Sequence, residues 1–212
     1  MLDLGAYDET EIVKPQHKSW SWLHAEIAAT AAEVRGVDAS PRLRDSGSIT
    51  TNCGTRIIYG QVEDLQSIVL DFRPDLIIAG ELIEHTPDTI GWLSQLARDA
   101  PGTEIVLTTP NATSILNLAL AFLNRENCHP DHTQIYSFKT LSTLAARVPI
   151  LQPILTPYYY TSHLFQGRVP GVLAPVIAGI DLVFLRPIQY LFPLTAFGLI
   201  LEGVFPGSRE IR

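Results

Sequence analysis

The stretch from Pro74 to Asp88 carries the densest set of side chains able to do chemistry in this chain. An apolar run, Leu76 to Ala79, stops at Gly80, and Glu81, Glu84 and His85 follow at once. A short, near-continuous apolar run is the pattern of a buried parallel strand, and such strands present ligand-binding groups at their carboxyl ends. His85 is a candidate general base for a hydroxyl nucleophile, because an imidazole titrates near neutrality. Glu81 and Glu84 also fit a plainer role, as solvated charges beside a helix N-terminus. A second group, Cys128-His129-Pro130-Asp131-His132, puts His129 and His132 in a loop able to face an acceptor. That loop has no second ligand pair at zinc spacing, and Cys53 and Cys128 make no C-x-x-C pair, so neither a metal site nor a disulfide is expected.

Hydrophobic spacing supplies the elements that would hold these groups. Strands are expected at 1–6, 33–38, 55–59, 75–79, 103–109, 151–160 and 196–204. Residues 6–19 are polar and contain Pro15, hence a loop, while Trp20, Leu23, Ile27 and Ala31 make one helical face over 20–32. Further helices are expected at 88–99, with Ile90, Leu93, Leu96 and Ala97 on one face, at 114–124, and at 137–147 behind a Ser137 cap. Alternating strands and helices predict an α/β domain: a Rossmann-like, doubly wound, mostly parallel sheet of about seven strands with helices on both faces. The whole chain, 1–212, reads as one domain. Its first strand begins abruptly, since an open α/β domain usually carries a helix before it.

Composition weighs against several function classes. A net charge of −7 argues against a nucleic-acid footprint, which needs a basic face. Asp3 stands where a secretion signal would want basic residues, so a cytoplasmic location is expected. From 148 to 201 only Arg168, Asp181 and Arg186 carry charge, prolines recur, and no apolar run is long enough to span a bilayer. One or two apolar helices are expected there. They either pack on the sheet or, over 169–201, make a peripheral-membrane or homo-oligomeric contact.

In chain order, the strand ends read Asp3-Leu4-Gly5-Ala6, Asp38-Ala39, Gly60-Gln61-Val62-Glu63-Asp64 and Gly80-Glu81. With "DLIIAGELIEH" at 75–85, "TTPN" at 108–111 and "HPDHTQIYSFKTL" at 129–141, this series resembles the class I S-adenosylmethionine-dependent methyltransferases from residue 1 to about 147. The resemblance implies S-adenosylmethionine as cofactor. Asp3, Gly5 and Ala6 would form the turn at its methionine end, and Asp38 with Ala39 would take the ribose hydroxyls. Gln61 and Val62 would meet adenine, while Gly80 and Glu81 would hold the amino end or face the acceptor. It further implies methyl transfer to a small molecule, at a hydroxyl, with His85, His129 and His132 as catalytic candidates. The first turn, Gly5-Ala6-Tyr7-Asp8, departs from the family pattern by lacking its second glycine. A non-catalytic partner subunit is the alternative. A nicotinamide-dependent oxidoreductase is disfavoured, because no G-x-G-x-x-G follows strand one and Tyr136-Ser-Phe-Lys139 is not Tyr-x-x-x-Lys.

Overall fold

Leu2, Leu4, Ile77, Ala79, Ile105 and Leu107 are fully buried and lie on neighbouring strands in register, so that one face of the sheet is a continuous apolar belt. The computed structural model describes residues 1–8, 22–66, 68, 72–126, 128–159 and 174–208. The strands are β1 (Leu2–Leu4), β2 (Arg35–Asp38), β3 (Ser48–Thr50), β4 (Arg56–Tyr59), β5 (Leu76–Gly80), β6 (Glu104–Pro110), β7 (Leu151–Tyr158) and β8 (Gly198–Val204). They pair in the order β3-β4-β2-β1-β5-β6-β8-β7. β4, β2, β1, β5 and β6 run parallel, whereas β8 is antiparallel to both β6 and β7, and β3 is antiparallel to β4.

The expected strands are all present, and the expected sheet of about seven gains an eighth. β3 follows a turn at Gly47 (φ 69°) and folds back on β4. Its three residues are too few to show an alternation in sequence.

Five helices position the strand ends: α1 (Leu23–Thr30), α2 (Pro41–Arg44), α3 (Thr89–Asp99), α4 (Ile115–Ala121) and α5 (Phe138–Ala145). α3 buries Trp92, Leu93, Leu96 and Ala97, and its first turn is closed by the Asp88 carboxylate accepting from the Gly91 N–H. α5 starts with the expected Ser137 cap, made reciprocal by Thr140, and buries Leu141, Leu144 and Ala145 in the same core. α1 covers the opposite face, where Asp3 and Gly36 meet His24, and Gly80 meets Leu23. A Cβ on Gly36 would come within 2.8 Å of both Ala6 and Ile57, so only glycine lets these layers close. The loop expected at 6–19 and Trp20 lie, beyond Asp8, outside the described residues.

The apolar helices expected in the last quarter are one continuous rod. α6 (Ala174–Ile180) runs through a wider π turn at Asp181–Leu185 into α7 (Arg186–Leu191). Buried Asp181 accepts from Arg186 at 2.9 Å, so the two charges described here neutralise each other. Leu182, Val183, Phe184, Tyr190, Leu191 and Phe192 are exposed. Among the described residues, no helix is long and apolar enough to cross a membrane.

The end of β6 is tied to the end of this rod by Asn111. Its fully buried amide donates to the carbonyls of Leu194 and Ala196 and accepts from the Thr113 N–H and hydroxyl. Asn111→Ala strands the Ala196 carbonyl and leaves the Leu194 carbonyl only the Thr113 hydroxyl, and is expected to lower unfolding free energy by about 1–3 kcal/mol in a denaturant titration.

Candidate functional site

The carboxyl ends of β1, β2, β4 and β5 lie side by side at one edge of the parallel sheet, and backbone hydrogen bonds fix the turns that follow them. Gly5 adopts a left-handed turn (φ 77°) and its N–H donates to Val37 O, fixing the first loop against β2. Ala6 is buried, and its carbonyl accepts from Trp22 Nε1 at 2.9 Å. Asp38 is half-buried at the tip of β2. One carboxylate oxygen accepts from the Tyr7 N–H at 3.0 Å and the other from the Ser40 N–H at 2.7 Å. Burial raises its pKa, and those two amides pull it back. Ala39 beside it is half-buried, Gln61 is exposed, and Val62 is held by Trp92 Nε1 donating to its carbonyl at 2.7 Å. All four expected strand ends therefore converge on one edge of the sheet.

Asp3 differs from the others in being enclosed. It is 2% exposed beneath α1, and its carboxylate accepts from His24 Nδ1 at 2.8 Å. His24 Nε2 in turn reaches the Thr55 hydroxyl at 2.8 Å. Burial raises the Asp3 pKa, opposed by the hydrogen bond and charge of His24. This pair pins α1 across β1. Sequence reading missed it, since a 21-residue separation gives no periodic signal. The same pinning lays Leu23 over Gly80, close enough that a Cβ there would meet Leu23 Cδ2 at 2.6 Å.

At Glu81 the chain turns sharply. Its φ of 50° is a strained conformation for a residue with a Cβ, and it is held by the backbone N–H donating to Thr108. The exposed side chain accepts from Thr108 Oγ1 at 3.0 Å and from Tyr158 OH at 2.8 Å. A short 3₁₀ turn, Ile83–His85, follows and drives Glu84 inward, so the plainer reading of Glu84 as a solvated charge does not hold. Its Oε2 accepts from Thr109 Oγ1 at 3.0 Å, while Oε1 is buried with no partner. Burial first, and the nearby Glu81 charge second, push its carboxyl up to about 7.

The Glu84 carbonyl accepts from the backbone N–H groups of Thr133 and Gln134 and from the Thr133 hydroxyl. This brings the loop carrying His129 and His132 onto His85. Ring centroids are 4.6 Å apart for His85–His132, 5.7 Å for His129–His132 and 6.2 Å for His85–His129. The three candidate imidazoles thus meet, although they come from segments more than forty residues apart. His85 and His129 are exposed and His132 is half-buried. Burial, then the two neighbouring rings, hold the His132 pKa below its ordinary value. Glu84 and His132 line a cavity of about 550 Å³ beyond the end of β6, with Thr109, Pro110 and Gln134 also in its wall. Ligand atoms of Glu84, His85 and His132 lie within 4.8 Å of one another, close enough to converge on a cation.

No family model matches the sequence, and no curated protein matches it. Solved structures do match in fold. A S-adenosylmethionine-dependent methyltransferase of Archaeoglobus fulgidus is 14% identical, with a TM-score of 0.54 over 96% of this chain and 84% of that one. One from Thermotoga maritima is 12% identical, with a TM-score of 0.56 over 96% of this chain and 80% of that one. The phosphoethanolamine N-methyltransferase 2 of Haemonchus contortus, in complex with S-adenosylhomocysteine, is 11% identical, with a TM-score of 0.51 over 98% of this chain and 49% of that one. The chain has the fold of the class I S-adenosylmethionine-dependent methyltransferases.

Glu84 makes stability depend on pH in a defined direction. Its folded pKa of about 7 lies above the ordinary 4.5, so its contribution is complete below about pH 4.5 and is lost as pH rises through about 7. With chelator present, unfolding free energy is expected to fall between about pH 5 and about pH 8, and Glu84→Gln should flatten that fall.

Proposed function

We propose that this chain is a methyltransferase that uses S-adenosylmethionine and acts on a hydroxyl of a small molecule. The observation that carries the reading is the meeting of two features at one sheet edge: the aligned strand ends, and a cluster of His85, His129 and His132 whose His132 lines a cavity with Glu84. The residues present fit the cofactor. Each Asp38 oxygen uses one lone pair on a backbone N–H and keeps capacity for a ribose hydroxyl. Gly5, Ala6, Gln61 and Val62 would flank the same ligand, and Gly80 with Glu81 would meet its amino end. Leu23 lies over Gly80 only through the tip of a flexible side chain, which can turn aside.

S-Adenosylmethionine would supply an electrophilic methyl group on a sulfonium sulfur. The protein's share is to hold the acceptor oxygen in line with that methyl and to accept the hydroxyl proton. An imidazole of the cluster suits the second task, and the loop places His129 and His132 beside His85 for it. The negative charge of the chain supports a small acceptor over a nucleic acid. The exposed apolar rod at 174–191 is where the membrane or self-association expectation attaches. Liposome co-sedimentation and light scattering test it, and a monomer that ignores vesicles removes that part of the reading.

One observation favours a second reading, a domain that keeps the fold without the chemistry. Leu23 occupies the space above Gly80, where the cofactor's amino end would lie, and both Asp38 oxygens are already engaged by backbone amides. Calorimetric titration with S-adenosylhomocysteine separates the two. Methyl transfer requires binding that weakens at least about tenfold in Asp38→Ala and holds or tightens in Leu23→Ala. Absence of binding in both the parent and Leu23→Ala leaves the non-catalytic reading. His132→Ala is expected to lower kcat by about 100-fold or more while leaving S-adenosylhomocysteine affinity unchanged.

A further inference from the structure

The geometry points to a divalent transition-metal site formed by Glu84, His85 and His132 at the edge of the cavity that Glu84 and His132 line. Three observations carry it. First, the candidate donor atoms of these residues lie within 4.8 Å of one another. Second, Glu84 is 1% exposed and its Oε1 has no hydrogen-bond partner, a position that leaves a carboxylate oxygen costly unless something positive meets it. Third, the site is braced as metal ligands are braced. Thr109 fixes the other Glu84 oxygen at 3.0 Å, and the Glu84 carbonyl anchors the loop that delivers His132.

The donor chemistry narrows the ion. One carboxylate and two imidazoles suit zinc, manganese, iron or cobalt better than magnesium or calcium, which prefer oxygen throughout. Three protein ligands leave coordination positions open, as catalytic rather than structural sites do. A tetrahedral zinc site with bonds near 2.1 Å has ligand–ligand edges of about 3.4 Å. The exposed His85 ring must therefore turn inward, whereas Glu84 is the fixed partner. His132 and His85 stand edge-on at 89°, so their nitrogens can address one point without the rings colliding.

This inference rests in part on the methyl-transfer reading, which decides what fills the open position. There the acceptor's hydroxyl would bind the cation and become more acidic. Its proton would pass to solvent or His129, and its oxygen pair would form the new bond to the methyl carbon as the carbon–sulfur bond breaks. His85 and His132 then act as ligands, and their loss costs activity through the cation.

The test begins with the full chain dialysed against chelator and titrated with cobalt(II) or zinc(II) by absorption and calorimetry. One equivalent of cobalt is expected to give visible bands of low coordination number, displaced by zinc. Glu84→Gln and His132→Ala are each expected to weaken binding by 100-fold or more, with circular dichroism showing both still folded. Because His132 is only half-buried, His132→Ala keeps the test open if Glu84→Gln fails to fold. Binding unchanged in the folded variants, or no binding at millimolar metal, overturns the site. S-Adenosylhomocysteine titrated into the same samples separates the two ideas. Cofactor binding without metal binding sinks the cation site alone, and metal binding without cofactor binding sinks the methyl-transfer reading and leaves the site.

Discussion

The carbonyl of Glu84 accepts three hydrogen bonds from Thr133 and Gln134, and most of the candidate site depends on that one oxygen. Without it the loop at 128–134 would have no backbone tie to the sheet edge at this point. The three histidines would then be separate surface groups. The carbonyl points where it does because Glu81 reverses the chain in a left-handed conformation directly after β5. That conformation is held by Thr108 on the neighbouring strand, through both the Glu81 amide and its side chain. A strand end, a strained residue, a 3₁₀ turn and a distant loop thus form one unit. Gln134 locks it further by donating to the Thr86 carbonyl.

Much of the fold was legible because the central strands are buried on at least one face and therefore announce themselves as apolar runs. Each run ends in a glycine or a polar residue, so the strand ends could be placed in order from the sequence alone. Asp38 and Gly80 are positions of that kind. Glu84 was not legible. In sequence it is one more charge in Glu-Leu-Ile-Glu-His, and its burial depends on a turn conformation that no periodicity encodes. The Asp3–His24 pair was hidden for a related reason, because its members stand 21 residues apart in sequence with no periodicity linking them. Proximity of His85 to His129 and His132 follows from hydrogen bonds made by the backbone, which are blind to side-chain identity.

The two halves of the site differ in how they are built. The strand-end half is made of backbone conformations and small residues, with Gly36 and Gly80 letting α1 approach the sheet. The cavity half is made of side chains of mixed polarity, with a buried carboxyl and clustered imidazoles whose charges oppose one another. In the proposed reading the first half would take a ligand by shape, whereas the cavity half would respond to protons and ions. Changes in the second can alter chemistry without disturbing the first.

β7 lies at one border of the sheet and includes Pro153 and Pro157, with a register shift between Leu151 and Ile154 and a left-handed Gln152. Proline has no N–H to offer a further strand, and a bulged border does not lie flat against another copy. The exposed residues of β7 are therefore a poor template for growing the sheet from one molecule to the next. A chain with so much apolar surface near its C-terminus has a particular need for that safeguard against fibre-like assembly. Contact between copies is steered away from strand pairing and toward side-chain surfaces, where it can be weak and reversible.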